Sequence, residues 1–307
     1  MIAALAGGVG AARMLRGLVG VVPADQITAV VNTGDDLELH GLHISPDLDT
    51  VTYTLAGAIN PDTGWGLAGE SWQAMEALER YGGQTWFRLG DRDLATHLYR
   101  TQRLAEGAGL AEVTAEIVAA WGLALRLLPM SEQPVRTMLS VSGEGEISFQ
   151  EYFVARRHQV TVEAVRFAGA GDSSPGPGVL RALDEAEAVV ICPSNPIVSV
   201  APVLAVPGVE EAVRAGREHT VAVSPIVAGA ALKGPADRLM RELGHDASVV
   251  GVARLYAPLA AVLVIDAADA DLAPAVEEQG MRVVVTPTVM STPERARSLA
   301  ATVLGAV

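Results

Sequence analysis

The chain is poor in cysteine: among 307 residues only Cys192 occurs, so no internal disulfide can form. That scarcity fits a reducing compartment, and a cytoplasmic location is expected. Cys192 ends the apolar run AVVIC, which suits a buried small hydrophobe better than a nucleophile. Basic residues are also in the minority. Lys and Arg number 22 against 36 Asp and Glu, a formal net charge of −14. A protein that wraps nucleic acid carries a basic stripe, and none is present. The same balance disfavours an anionic membrane surface. Long hydrophobic runs are missing too. The longest, near residues 256–265, is shorter than the ~20 residues that cross a bilayer. The opening MIAALAGG lacks a basic leader segment and reads as a strand, not a signal peptide. No charge block, low-complexity tract or solenoid repeat interrupts the chain.

What is abundant is apolar: half of the residues are hydrophobic and only 19% are charged, enough for a sizeable core. The N-terminus alternates strand (2–6), glycine turn, helix (11–19) and strand (27–32). The C-terminal half repeats the pattern, with short β-branched runs ending at Cys192, Ser224, Asp266 and Thr286. Helical candidates at 178–186, 235–243, 270–279 and 292–304 separate them. This alternation predicts an α/β fold: a Rossmann-like, doubly wound, mainly parallel sheet. Residues 1–307 are expected to form a single domain, with a helical insertion at about 65–125. Within the insertion, Met75, Leu78 and Tyr81 share one helical face. Further helices begin near Asp93 and Leu110, and residues 135–154 read as a hairpin turning at Gly143–Gly145.

Five segments can carry chemistry. Gly7, Gly8 and Gly10, followed by Arg13, lie between a strand and a helix. There, backbone N–H groups and the helix N-terminus favour a phosphate. The segment matches neither a full dinucleotide fingerprint nor a Walker loop, and a tight turn without ligand is the alternative. Asn32-Thr33-Gly34-Asp35-Asp36 follows the second strand. Adjacent carboxylates repel unless a hard cation such as Mg²⁺ joins them, although these are also ordinary turn residues. Asp47 and Asp49 stand near a helix start, where they complement the helix dipole or complete a four-carboxylate metal site with Asp35 and Asp36. Arg88 and Arg92 suit phosphate, or else pair with neighbouring aspartates. Ser194 and Asn195 sit in a proline-framed loop after another strand. They are placed to donate to phosphate or base, or to cap a helix.

Taken in order, GGVGAAR, VVNTGDD, ISPDLDTVTYTL, LGDRDLATHL, LLPMSEQPVRT, ISFQEYFV, CPSNPIVSVAPVL, VSPIV and MSTPE resemble the 2-phospho-L-lactate transferase family. The likeness runs from about residue 2 to residue 305. The resemblance implies an enzyme of coenzyme F420 biosynthesis. Such an enzyme moves a phospholactyl or phosphoenolpyruvyl group from a guanosine diphosphate-linked donor to a deazaflavin alcohol, 7,8-didemethyl-8-hydroxy-5-deazariboflavin (Fo), and releases GMP. It also implies Mg²⁺ and a homodimer. Carried onto this chain, Gly7, Gly8, Gly10, Ser194 and Asn195 would hold the donor, with Arg13, Asn32 and Arg92 as further contacts. Asp49 and Arg88 would meet Fo. Asp35, Asp36, Asp47 and Asp49 would bind the metal, with Asp49 and Asp35 acting in catalysis. Asp49→Asn is then expected to abolish transfer while leaving the fold intact.

Two rivals remain. A nucleotide-sugar-binding regulatory protein of the gluconeogenesis-factor type shares the glycine-rich start, but its second turn tends to be richer in Gly and Ser. A nicotinamide dehydrogenase would fit a glycine turn followed by an acid, but lacks the final glycine.

Overall fold

A computed structural model describes all 307 residues. Seven parallel strands form the central sheet. Their spatial order is Arg282–Val285, Val262–Ile265, Thr220–Val223, Ala188–Ile191, Ile2–Ala6, Ile27–Val31 and Arg126–Pro129. The chain therefore runs outward from Ile2–Ala6 in one direction, then returns to its other side and runs outward again. Every neighbouring pair is parallel, so all the following loops open at one edge. The strand order reverses between Ile2–Ala6 and Ala188–Ile191. In open α/β sheets that switch point is where ligands bind. This is the doubly wound architecture expected from the alternating pattern.

The strands are buried on both faces, which explains their continuous Val, Ile and Ala runs. In the first strand Ala3 and Leu5 enter one core, and Ala4 and Ala6 enter the other. Helix α1 (Gly8–Val19) covers the second face. Ala11, Met14, Leu15 and Leu18 recur at helical spacing, and all are buried. Helix α2 (Pro46–Leu55) has Pro46 in its first turn, where the missing N–H costs nothing, and Asp47 and Asp49 beside the positive end of the dipole. The C-terminal helix Pro293–Leu304 packs against α1 and completes this layer. No single helix is long and apolar enough to cross a membrane.

Between Val31 and Arg126 the chain leaves the sheet and forms α3 (Gln73–Arg80), α4 (Asp93–Ala105) and α5 (Leu110–Ala120). The last two begin at the expected residues. Met75 is buried, but Tyr81 is 86% exposed, because α3 ends before it. The caps of α3 and α4 are exchanged. Asp91, just before α4, accepts from Gln73 N and Ala74 N of α3. Glu70, just before α3, accepts from Arg92 N and Asp93 N of α4. The expected hairpin is present as Arg136–Val141 and Gly145–Ser148. A third strand, Val162–Ala168, joins its other side. Glu163 and Arg166 interrupt the apolar pattern of that strand, which hides it in the sequence.

Candidate active site

The loops after Ile2–Ala6, Ile27–Val31 and Ala188–Ile191 meet at the switch point. Gly8 has a φ of +71°, in the left-handed region that only glycine adopts cheaply. At Gly10 a Cβ would lie 2.2 Å from the Pro193 carbonyl oxygen, so the first and fourth strand loops touch only because that side chain is absent. Ser194 Oγ donates to the Gly7 carbonyl at 2.8 Å and latches the same two loops. Its hydroxyl is thus committed to the scaffold. Asn195 accepts from Ile197 N at 2.9 Å, while its Nδ2 is buried without a partner. Ser224 is likewise spent on its own turn, bonding the Ile226 backbone.

Asn32 organises the carboxylates. Its Oδ1 accepts from Gly34 N at 2.8 Å, and its Nδ2 donates to Asp47 Oδ2 at 3.0 Å. The other oxygen of Asp47 accepts from Gly8 N at 2.9 Å, so the first N–H of α1 already holds an anion. Asp36 Oδ2 accepts from Ser45 Oγ at 2.8 Å and lies 3.0 Å from His43 Nε2. Asp35 Oδ1 and Asp36 Oδ1 are buried with no partner. A cavity of about 30 Å³ lined by Asp36, Thr33, His43, Ser131 and Arg136 has room for a water or two.

Burial pushes the Asp35 pKa well above the usual carboxylate range, and Asp47 and Asp36 push it further; Thr137 and Asn32 oppose the shift. Burial likewise raises Asp47 to about 6, against the pull of Asn32 and the Gly8 amide. Three buried carboxylates in mutual repulsion, with no Lys or Arg bonded to them, have the chemistry that suits a hard divalent cation, though their oxygens are not gathered within 4.8 Å of one another as the ligand atoms of Asp49, Asp93 and His97 are. The two orphaned Oδ1 atoms fit that role.

One expectation is corrected. Asp49 does not share a single four-carboxylate set. Two residues apart on a helix, Asp47 and Asp49 point about 200° apart around its axis. Asp47 faces the glycine turn, and Asp49 faces α4. There Arg100, the largest fully buried side chain, bonds both Asp49 oxygens, with Nη1 3.2 Å from Oδ2. Burial raises the Asp49 pKa, and Arg100 and His97 hold it back. His97 bridges Asp49 at 3.7 Å and Asp93 at 3.3 Å, and Tyr53 OH donates to Asp93 at 2.5 Å. Asp49, Asp93 and His97 have the ligand types for a metal ion. Arg100 and Tyr53 already supply that group's positive and donor partners, so an added cation would compete with a guanidinium.

Arg88 lies over the Trp72 ring, 4.4 Å from its centroid, a cation–π contact rather than an ion pair with its neighbours. Arg92 is turned onto the Ala68 carbonyl and braces the 57–70 loop. Arg13 is half-buried on α1. Cys192 is fully buried in the core and its thiol is pushed up to about 12, so it is no nucleophile. Sequence reasoning missed Tyr53, His43 and Arg100. The last was within reach, because Asp93, His97 and Arg100 recur at i, i+4 and i+7 and so share a helix face.

A phosphoenolpyruvate transferase of Kitasatospora aureofaciens is 44% identical over 309 residues, covering 99% of this chain and 96% of the relative. That of Streptomyces griseus is 45% identical, covering 94% and 93%. That of Mycolicibacterium smegmatis is 39% identical, covering 95% and 94%. Among solved structures, protein BH3568 of Bacillus halodurans superposes with a TM-score of 0.65 at 15% identity, covering 99% of this chain and 98% of that one, a likeness of fold alone. The family model for 2-phospho-L-lactate transferase CofD matches residues 2–297, and the chain belongs to that family.

Proposed function

We propose that this chain transfers a phosphoenolpyruvyl group from a guanosine diphosphate-linked donor to the terminal ribityl hydroxyl of Fo, releasing GMP. The names of its relatives favour enolpyruvate over lactate as the carried acid. The observation that carries the reading is the pair of buried, unpartnered oxygens of Asp35 and Asp36 at the switch point, beside the glycine turn.

In this transfer the hydroxyl oxygen bonds to the distal phosphorus, the bridging P–O bond breaks, and its electrons leave with GMP. Phosphoryl transfer leaves the protein little covalent work, so positioning and charge neutralisation dominate. Asp35 and Asp36 would hold Mg²⁺, which when bound neutralises the diphosphate. Gly8, beside which there is open space, lets the α1 backbone approach the donor, and Asn195 Nδ2 supplies a free donor group. Asp49 enters as a positioning residue, because both its oxygens face Arg100. The hydroxyl proton is assigned to Asp47. Its pKa of about 6 lies near neutrality, and a carboxylate with two accepted bonds retains lone pairs. A cytoplasmic homodimer completes the proposal.

The test is incubation with Fo, Mg²⁺ and each candidate donor, with mass spectrometry of the product. A phosphodiester-linked deazaflavin with stoichiometric GMP supports the transferase. Nucleotide binding with no GMP release from any donor favours the regulatory binder instead.

A further inference from the structure

Lys233 is the only lysine in the chain. It lies in the short link between the strand Ala230–Ala231 and the helix Ala236–Glu242. The two-stranded hairpin Ile226–Val227/Ala230–Ala231 follows directly on the sheet strand Thr220–Val223, so it rises from the edge where the glycine turn opens. Its tip is fixed from the neighbouring loop. Ala228, in a left-handed conformation with φ 49°, donates its N–H to both Asp269 oxygens at 3.1 and 3.0 Å, and Asp269 is buried. A fixed hairpin therefore carries a flexible, exposed side chain.

The amino group comes to rest over the glycine turn. A methyl group built on Gly64 would stand 2.9 Å from Lys233 Nζ and 3.9 Å from Val9 Cγ1. Gly64 has a φ of +76° and no side chain, and that gap is what the amine occupies. Val9 is the middle residue of Gly8-Val9-Gly10. Three segments distant in sequence thus meet beside Val9 of the turn. The amine takes part in none of the chain's ion pairs. In a chain of net charge −14, an unpaired ammonium at this place is a conspicuous choice.

We infer that Lys233 is a phosphate-contacting residue of the donor site, a mobile cation that closes over the glycine turn when a nucleoside diphosphate enters. This rests on the reading of that turn as the donor's phosphate site. The carboxylates approach the diphosphate only through a divalent ion, so they leave its far oxygens without a direct cation. An ammonium on a four-carbon stem supplies one as a movable point charge with three donors.

The sole lysine makes the test specific. The protein is treated with an amine-acylating reagent, with and without saturating GDP and Mg²⁺, and the peptides carrying Lys233 and the Met1 amine are quantified separately. GDP binding to wild type, Lys233→Gln and Lys233→Arg is measured by calorimetry alongside thermal midpoints. Protection of Lys233 but not Met1 is expected. The Gln variant should bind GDP about 10- to 100-fold more weakly, the range of one charge-assisted hydrogen bond, with partial recovery in the Arg variant and unchanged melting. Equal GDP affinity of wild type and Lys233→Gln, or equal acylation with and without nucleotide, would overturn the assignment while leaving the donor site standing. Failure of the wild-type protein to bind GDP would remove the donor site itself, and this inference with it.

Discussion

Removing Arg100 tests whether the Asp49 pair is structural. Arg100 is 1% exposed and bonds both oxygens of a carboxylate that is 5% exposed. Truncating one partner of a buried pair leaves an uncompensated charge, which costs about 3–5 kcal/mol. Arg100→Met keeps most of the stem volume, so the loss is electrostatic rather than a cavity. At ~2–4 °C per kcal/mol, the melting point should fall by about 6–20 °C. Asp49→Asn should also destabilise, since it strands the guanidinium, so the fold is not indifferent to that change as the sequence suggested. The double variant Asp49→Asn/Arg100→Met should recover part of the loss, with a coupling energy of about 1–3 kcal/mol. Urea unfolding followed by tryptophan fluorescence measures all four proteins. Trp121 stands edge-on to Tyr53 at 5.6 Å, close to the network, and serves as a local reporter. Were Arg100→Met to unfold within ~0.5 kcal/mol of wild type, or the two single effects to add, the buried pair would be energetically idle and the argument wrong.

Three further outcomes follow from the carboxylate cluster and its loops. Asp35→Asn and Asp36→Asn should each lower Mg²⁺-dependent transfer by at least about 100-fold, as expected for loss of a group that stabilises transition-state charge. Asp35→Asn should also leave the metal-free protein as stable as wild type or more so, since it relieves repulsion; a drop in its urea midpoint would contradict the account. The pKa of Asp47 is raised in the fold from 3.8 to about 6, so its contribution to stability is complete below pH 4 and is lost as pH climbs through 6. Metal-free protein should therefore melt higher at pH 5 than at pH 7.5, by at most about 3 kcal/mol from this group, and Mg²⁺ should flatten the difference. A midpoint in chelator that rises steadily across that range would refute it. Gly10→Ala places a methyl group against the Pro193 carbonyl and should cost about 1–3 kcal/mol, read as a lower urea midpoint. An unchanged midpoint would mean that the two loops part freely.

Much of this architecture was legible because it depends on local pattern. The strand–glycine turn–helix opening and the β-branched runs at 188–191, 220–223, 262–265 and 282–285 announced a parallel sheet. Asp35, Asp36 and Asp47 lie near enough to repel one another because each follows a strand or opens a helix at the same edge. Asp49 does not, for a reason the sequence also contained: two steps along a helix reverse direction. Arg100 shares a helix face with Asp93 and His97, but an arginine on a polar helix is usually solvated, and nothing local says that a carboxylate 51 residues earlier will bury against it. Ser194 and Asn195 follow the strand Ala188–Ile191, as the sequence order dictates. Only packing decided that the hydroxyl would turn back to Gly7 and leave the amide unpaired.

The exchanged caps of α3 and α4 make those two helices mutual guarantors. Neither can begin at full strength unless the other's approach segment is already in place, so partial unravelling of one exposes amides in both. Hydrogen exchange at Gln73, Ala74, Arg92 and Asp93 should accordingly proceed as a single event, with one opening free energy for two sequence-distant stretches.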